Sequence, residues 1–222
     1  FVIAALIWVV GYPVSEADTS TTIGYILPES PALKAGLQPG DKILAVDGKH
    51  VKRFLGMNDS VSWNVVRSEG DTIPVTFERD GVVKTVDAQP YRAETRGWRR
   101  KSVRQLLILP AETPMIEKVE PNSPAAAAGL KPGDIIREVN GQPIYNPIAL
   151  VEEINKNPDQ ELALKVERGG QKVNVRVKPA LLQTEGEKKP RIGIQWADKL
   201  TIVHPTPVEQ IYNSLTSTLN TI

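Results

Sequence analysis

Two histidines, His50 and His204, stand far apart in the 222-residue sequence, and there is no cysteine. Zinc is held by three or four Cys, His or carboxylate ligands, so no conventional zinc triad assembles here. The lack of cysteine also excludes disulfide scaffolds and thiol nucleophiles, and leaves the redox compartment open. No G-x-S-x-G turn presents a serine nucleophile, and no serine–histidine–aspartate set stands out. The densest charge cluster is cationic: Arg96, Arg99, Arg100, Lys101 and Arg104 put five cations within nine residues. Such a run suits anionic lipid headgroups, at about 1 kcal/mol per cation, or a solvated connector, and the connector is preferred. Over the whole chain 27 Lys and Arg oppose 26 Asp and Glu, a net charge of +1. That balance argues against a nucleic-acid partner. No catalytic residue, metal site or cofactor is expected within these residues.

The elements that could position a binding site are more informative. Ser30-Pro31-Ala32-Leu33-Lys34-Ala35-Gly36-Leu37-Gln38-Pro39-Gly40-Asp41, running on to Val46-Asp47-Gly48, recurs 93 positions later. The second copy is Ser123-Pro124-Ala125-Ala126-Ala127-Ala128-Gly129-Leu130-Lys131-Pro132-Gly133-Asp134, running on to Val139-Asn140-Gly141. Between Ser30–Val51 and Ser123–Ile144, 12 of 22 positions are identical. This offset is too long for a solenoid repeat and fits a duplicated small domain. Each copy predicts a short helix with a serine cap and proline in its first turn, ended by Gly36 or Gly129. A Pro-Gly turn, a strand and a tight Asp-Gly or Asn-Gly turn follow.

Around these copies, Ile23–Leu27 and Met115–Val119 read as strands, and Asp59–Ser68 and Pro147–Asn157 as helices. Val61, Val65 and Val66 repeat at near-helical spacing in the first helix, and Ile148, Val151 and Ile154 in the second. Thr72–Phe77 with Val82–Val86, and Glu161–Glu167 with Lys172–Val177, alternate as hairpins. Leu106–Pro110 and Arg191–Trp196 read as strands, and Thr184–Pro190 as a charged loop. At the start, Phe1–Val10 is wholly apolar and reads as the last turns of a membrane helix, with Trp8 and Tyr12 as interfacial aromatics. The alternative is a buried strand or helix of the fold. Ser15–Thr22 reads as a linker. Near the end, Thr206-Pro207-Val208-Glu209 is a capping box, opening a helix with a thin stripe of Val208, Ile211, Leu215, Leu219 and Ile222. That stripe suits a membrane surface or partner, or a helix docked on the second domain. The expected division is 1–14 end of a membrane helix, 15–110 first domain, 111–198 second domain, and 199–222 linker and amphipathic helix.

The doubled pattern SPA-x-x-AGL-x-PGD-x-I-x-x-V-[DN]-G resembles the core of bacterial PDZ domains. The resemblance implies a mixed α+β, mainly β chain: two tandem, circularly permuted PDZ domains, each a small, partly open barrel or sandwich with two helices. PDZ domains add an extended peptide to an open sheet edge and hold its terminal carboxylate on a loop of backbone N–H groups. In the permuted order that loop comes late. Ile192-Gly193-Ile194 matches it in the second copy, with Val151 and Ile154 as groove wall. Leu106-Leu107-Ile108 matches it in the first, with Val65 and Val66 opposite. The first copy departs from the pattern. Leu107 stands in place of glycine, and its β-carbon is expected to disfavour the loop conformation.

The arrangement as a whole is similar to the middle of an RseP-type site-2 protease, a zinc intramembrane metalloprotease. That resemblance implies a place on the periplasmic side of the inner membrane, membrane contact through the flanking segments, and protein tails or peptides as partners. Zinc is implied for the parent protein only, because the family's HExxH helix and LDG-like aspartate are absent from these residues. The implied role is regulatory, a size filter above a distant active site. Two other readings stay open: the PDZ pair of an HtrA-type serine protease, and a non-enzymatic envelope scaffold.

Overall fold

The computed structural model describes residues 2–92, 103–184 and 187–211. They form two compact units: residues 112–198 make one, and residues 2–111 the other, joined by the described part of 199–222.

The first unit runs α1 (Val2–Val10), β1 (Tyr12–Ser15), a 3-10 turn (Glu16–Asp18), β2 (Ile23–Ile26), α2 (Pro31–Lys34), β3 (Lys42–Val46), β4 (Lys49–His50), α3 (Val61–Arg67), β5 (Ile73–Arg79), β6 (Val82–Ala88) and β7 (Ile108–Pro110). The second runs β8 (Ile116–Val119), α4 (Pro124–Ala127), β9 (Ile135–Val139), β10 (Gln142–Pro143), α5 (Pro147–Lys156), β11 (Leu162–Arg168), β12 (Gln171–Val177), β13 (Ala180–Thr184), β14 (Glu187–Arg191) and β15 (Ile194–Trp196). β16 (Leu200–Val203) then returns to the first unit and pairs with β1. Each unit has one four-stranded antiparallel sheet, ordered β4-β3-β5-β6 or β10-β9-β11-β12. Each also has a two-stranded sheet, β2-β7 or β15-β8. These are open sheets, not closed barrels, and the chain is mainly β with short helices.

The doubled signature builds both units in the same way. Ser30 and Ser123 cap α2 and α4, their hydroxyls accepting the Leu33 and Ala126 amides at 3.2 Å. Ala32 and Ala125 are fully buried at the same step, where a close-packed interior favours a small side chain. The PGD aspartates then close the turn. Asp41 accepts the Gln38 amide and Asp134 the Lys131 amide, both at 2.8 Å. Arg79 grips Asp41 through Nε at 2.6 Å and Nη2 at 2.7 Å, and Arg168 grips Asp134 at 2.7 Å through both nitrogens. The same Nη2 atoms reach the Gly36 and Gly129 carbonyls at the helix ends, at 2.8 Å. Each clamp fastens the signature to the far end of β5 or β11. Burial opposes the charge on Asp134, but the Arg168 hydrogen bonds and the Lys131 amide outweigh it and hold the carboxyl below its ordinary value.

Each unit packs its own core. Ile23, Leu37, Ile43, Val46, Ile73, Val75 and Phe77 lie at the centre of the first, and Ile116, Ile136, Leu150, Leu162, Leu164, Val166 and Ile192 at that of the second. On β5 and β11 the inward residues alternate strictly, as a sheet with one wet face requires.

Several expectations are corrected. Ser15–Thr22 is not a free linker: Ser15 closes β1, Glu16–Asp18 is a 3-10 turn, and Thr22 bridges to Lys42. Lys199 ties to Glu16 at 2.9 Å, and the His204 ring meets the Trp8 carbonyl at 3.1 Å. Thr184–Pro190, read as a charged loop, instead contributes β14, which pairs residue for residue with β13. Its charged side chains hid a strand whose backbone pairing does not depend on apolar side chains. Arg191–Trp196 is not one strand: Arg191 ends β14, and Ile192-Gly193 form a turn before β15. Arg104 does not belong to a solvated cationic run, because only 5% of it is exposed.

The apolar N-terminal run is helical over Val2–Val10 and leaves Leu6, Trp8, Val9 and Val10 exposed. Among the described residues no helix is long and apolar enough to cross a membrane. The capping box forms as expected: the Glu209 carboxylate accepts the Thr206 amide at 2.8 Å, and the Thr206 hydroxyl accepts the Glu209 amide at 3.2 Å. That helix is described to residue 211. Leu215, Leu219 and Ile222 lie outside the described residues, as do Arg96, Arg99, Arg100 and Lys101.

Candidate functional site: an apolar groove in each unit

In the second unit the groove lies between α5 and β15. Asn146 starts α5 by accepting the Ile148 amide at 2.9 Å, and Pro147 fits its first turn. The helix buries Leu150 and Ile154 in the core and leaves Val151 39% exposed over the groove. β15 pairs with β8 along one side, Ile194 opposite Val119, and among the described residues that sheet has two strands. The resulting cavity of about 420 Å³ is lined by Leu150, Val151, Ile154, Ile192, Gly193, Ile194 and Trp196, with Glu120, Asn155 and β14 at its rim. All five residues expected in this site therefore meet in one place.

The loop at its end is wound by backbone hydrogen bonds. The Ile192 carbonyl accepts the Ala125 amide at 2.8 Å, and the Gly193 carbonyl accepts the Glu120 amide at 2.9 Å. A trans peptide unit points its N–H opposite its carbonyl. The amides of Gly193 and Ile194 are therefore turned away from α4 and β8. Two consecutive N–H groups turned one way form an anion nest. Gly193 supplies the bend, with φ at +79°, and a β-carbon there would collide with the Ser123 side chain.

In the first unit α3 and β7 build the matching groove, with a cavity of about 360 Å³. Ser60 caps α3 by accepting the Trp63 amide at 3.1 Å. Val61 and Val65 face inward, and Val66 is 37% exposed. The lining includes Val61, Val65, Val66, Leu106, Leu107, Ile108 and Leu109. All five residues expected here are again brought together. β7 pairs with β2, Ile108 opposite Ile26, matching the β15–β8 register 93 positions earlier on β2.

Leu107 takes the turn in spite of its β-carbon. Its φ is +57°, so leucine adopts the left-handed turn that glycine takes in the other unit. Its carbonyl accepts the Leu27 amide at 3.1 Å, the counterpart of the Gly193–Glu120 bond. Holding a leucine there costs about 1–2 kcal/mol. Leu107→Gly removes that strain, but it also frees the unfolded chain and loses the side chain's packing. Its expected stability in denaturant titration is within about 1 kcal/mol of the parent.

Sequence reasoning missed three features of the two units. One is β14 beside α5. Another is Arg104, read as one cation of a run. The third is the pair of arginine clamps. A signal for the clamps was present: Glu-Arg precedes the hairpin turn in both copies, at Glu78-Arg79 and Glu167-Arg168. No group of three or more metal-binding side chains occurs among the described residues.

Comparison with known proteins follows the same division. Residues 9–89 and 115–168 each match the PDZ domain family. The chain is 29% identical to the regulator of sigma-E protease RseP of Escherichia coli K12 over 199 residues, covering 86% of this chain and 42% of that protein. It is 30% identical to the periplasmic serine endoprotease DegP of Salmonella typhimurium over 163 residues, covering 69% of this chain and 33% of that protein. The chain thus spans less than half the length of these relatives. Among solved structures, the PDZ domain of an SdrC-like protein from Listeria innocua is 23% identical, with a TM-score of 0.34, covering 38% of this chain and 93% of that one.

Proposed function

The chain belongs to the PDZ family, with two such domains in tandem, and from that premise we propose that it binds and screens protein tails for a protease whose chemistry lies elsewhere in the polypeptide. One observation carries this reading. Each domain sets an apolar groove beside an open strand edge, and the second ends in a turn of paired amides. A chain end fits such a site by adding a strand, dropping an apolar side chain against the helix, and placing its carboxylate on the amides.

The finer reading is the extracytoplasmic filter of an RseP-type intramembrane zinc protease at the inner membrane. The similarity to RseP over 86% of the chain supports it. So does the apolar exposed face of α1, which would meet lipid where Trp8 and Tyr12 sit. Zinc would then be held by parts of the protein beyond this tandem. The grooves need no catalytic residue to act as a filter: two folded domains exclude bulky ectodomains by their volume and admit trimmed tails.

The test compares cleavage of one membrane substrate, intact and pre-trimmed, by the full-length protein with and without residues 15–198. The expected result is that removing the tandem admits the intact substrate and leaves the trimmed one cut as before. Equal discrimination by both forms would sink the filter. The similarity to DegP supports a second reading, the PDZ pair of a soluble serine protease. An HExxH helix upstream of Phe1 decides for the first, and a serine protease domain there for the second.

A further inference from the structure

The two grooves differ in charge at one corresponding place. The residue just past β8 is Glu120, and the residue just past β2 is Leu27. The β15–β8 and β7–β2 registers set these two in the same position, Ile194 opposite Val119 and Ile108 opposite Ile26. Both line their grooves, and both fasten the turn at the end. The Glu120 amide donates to the Gly193 carbonyl at 2.9 Å, and the Leu27 amide to the Leu107 carbonyl at 3.1 Å. Glu120 is half-buried, and its Oε2 lies 3.3 Å from the point that a β-carbon on Gly193 would occupy. Among the described residues no hydrogen bond or ion pair reaches that carboxylate. The lining of the first groove holds no acidic side chain.

Fastening the turn needs no carboxylate, since Leu27 does the same with an apolar side chain. The charge therefore calls for its own account. A chain laid in the second groove covers Glu120 further, which is costly unless the chain brings a counter-charge. Glu120 also opposes the terminal carboxylate of a tail seated on the neighbouring amides. A lysine or arginine on the tail relieves both. Lys189 and Arg191 of β14 line the same groove beside α5, so they repel a ligand cation there and confine the attraction to the Glu120 end. An extended chain on the β15 edge alternates its side chains. Its last residue drops against α5, and the next-to-last points out over β15, on whose far side β8 and Glu120 lie.

From this we infer that the second groove selects tails carrying lysine or arginine next to their last residue, and that Glu120 is the residue that reads this cation. The first groove, with Leu27 in that position, makes no such selection, so the tandem sorts tails by charge between its two domains. The inference rests on the reading that the grooves bind peptides. It adds the class of side chain that one of them prefers.

The test uses methyl-labelled chain 1–222, in which Val65 and Val66 report on the first groove and Val151 and Ile154 on the second. The probes are free-ended, N-acetylated alanine pentapeptides closed by valine. They carry lysine next to the valine, lysine at the first position, or glutamate next to the valine. The two lysine peptides share composition and net charge, so a difference between them reports position alone. In the parent chain the near-end lysine peptide should bind the second groove about fivefold more tightly than the far-end one, and the glutamate peptide most weakly. Glu120→Gln keeps the side chain's shape and the backbone bond. It should bring the two lysine peptides within about twofold of each other and tighten the glutamate peptide. Equal affinity for the two lysine peptides in the parent chain overturns the inference, as does a preference that survives Glu120→Gln. So does a glutamate peptide that binds more tightly than the near-end lysine peptide, which would give the reading to Lys189 and Arg191. An equal lysine preference at the first groove overturns it too, because Leu27 offers no charge. Should Glu120→Gln disturb the fold, salt titration of the parent chain decides. A lysine advantage that shrinks with salt is a charge contact, and one that stays constant overturns the inference. Binding at the second groove without a lysine preference defeats this inference alone. Silence there toward every peptide defeats the peptide-binding reading as well.

Discussion

Asp134→Ala is expected to cost the second domain about 3 kcal/mol, the lower end of what breaking a buried charge pair costs. Asp134 has no exposed surface, and its two oxygens satisfy Arg168 Nε, Arg168 Nη2 and the Lys131 amide together. Alanine leaves the amide unpaired inside the Pro-Gly turn and removes the counter-charge of the guanidinium. The Arg168 side chain is 32% exposed and relaxes partly into water, which keeps the cost at the lower end. Hydrogen exchange followed peptide by peptide should show α4, β9 and β11 opening more easily, with β3 and β5 unchanged, because each unit has its own core. Equal loosening in both units would contradict the independence of the two clamps. The double change Asp134→Ala with Arg168→Met should cost less than the sum of the single changes, since each alone strands the other partner. The pH dependence has a definite sign. The Asp134 carboxyl is held below its ordinary value in the folded state. Its contribution is therefore fully present above the unfolded carboxyl's pKa of about 3.9 and is lost as pH falls through the lower folded value. The second domain should keep its unfolding midpoint from neutral pH to about 5 and lose stability below about 4, and Asp134→Asn should flatten that loss.

The order of elements was legible in the sequence because the duplicated signature writes its physics in residue types with few conformational alternatives. A serine before a proline caps a helix, an alanine two steps later must be buried, and Asn-Gly or Asp-Gly closes a hairpin. The groove walls were named through the PDZ resemblance, which set Val65, Val66, Val151 and Ile154 opposite the loop, and the structure places all four in the groove linings. What escaped were features set by tertiary contacts. Arg79 and Arg168 look like ordinary surface cations at strand ends until the sheet brings them to Asp41 and Asp134. Arg104 sits beside a cationic run in sequence and inside the protein in space. Charged residues dominate β14, so side-chain pattern could not reveal a strand made by backbone pairing to β13. Leu107 shows the limit of reading one residue alone: its β-carbon makes the turn costly, yet the Leu27 amide and the β2–β7 pairing hold it there.

That contrast sets the second large effect. Gly193→Val should abolish free-end recognition by the second groove, with at least a tenfold loss for the free-ended peptide and little change for its amide. Three costs coincide at this position. The φ of +79° is hostile to any side chain and most hostile to a β-branched one. The new β-carbon would meet the Ser123 side chain, with Ser123 Oγ at 2.9 Å and Glu120 Oε2 at 3.3 Å. Ser123 cannot move freely, because its hydroxyl caps α4 through the Ala126 amide. Relief therefore comes from the loop itself, and once the Ile192 and Gly193 carbonyls let go of Ala125 and Glu120, the two amides no longer share a direction. Gly193→Leu should be milder, since the first domain carries leucine at the same place with φ at +57°. The measurement is the ratio of free-ended to amidated affinity, read at Val151 and Ile154, for glycine, leucine and valine at position 193. A steady fall in that ratio across the three ties recognition to the backbone turn. Should valine leave the ratio at the parent value, the carboxylate is held by some other group, and the amides of Gly193 and Ile194 play no part in binding it.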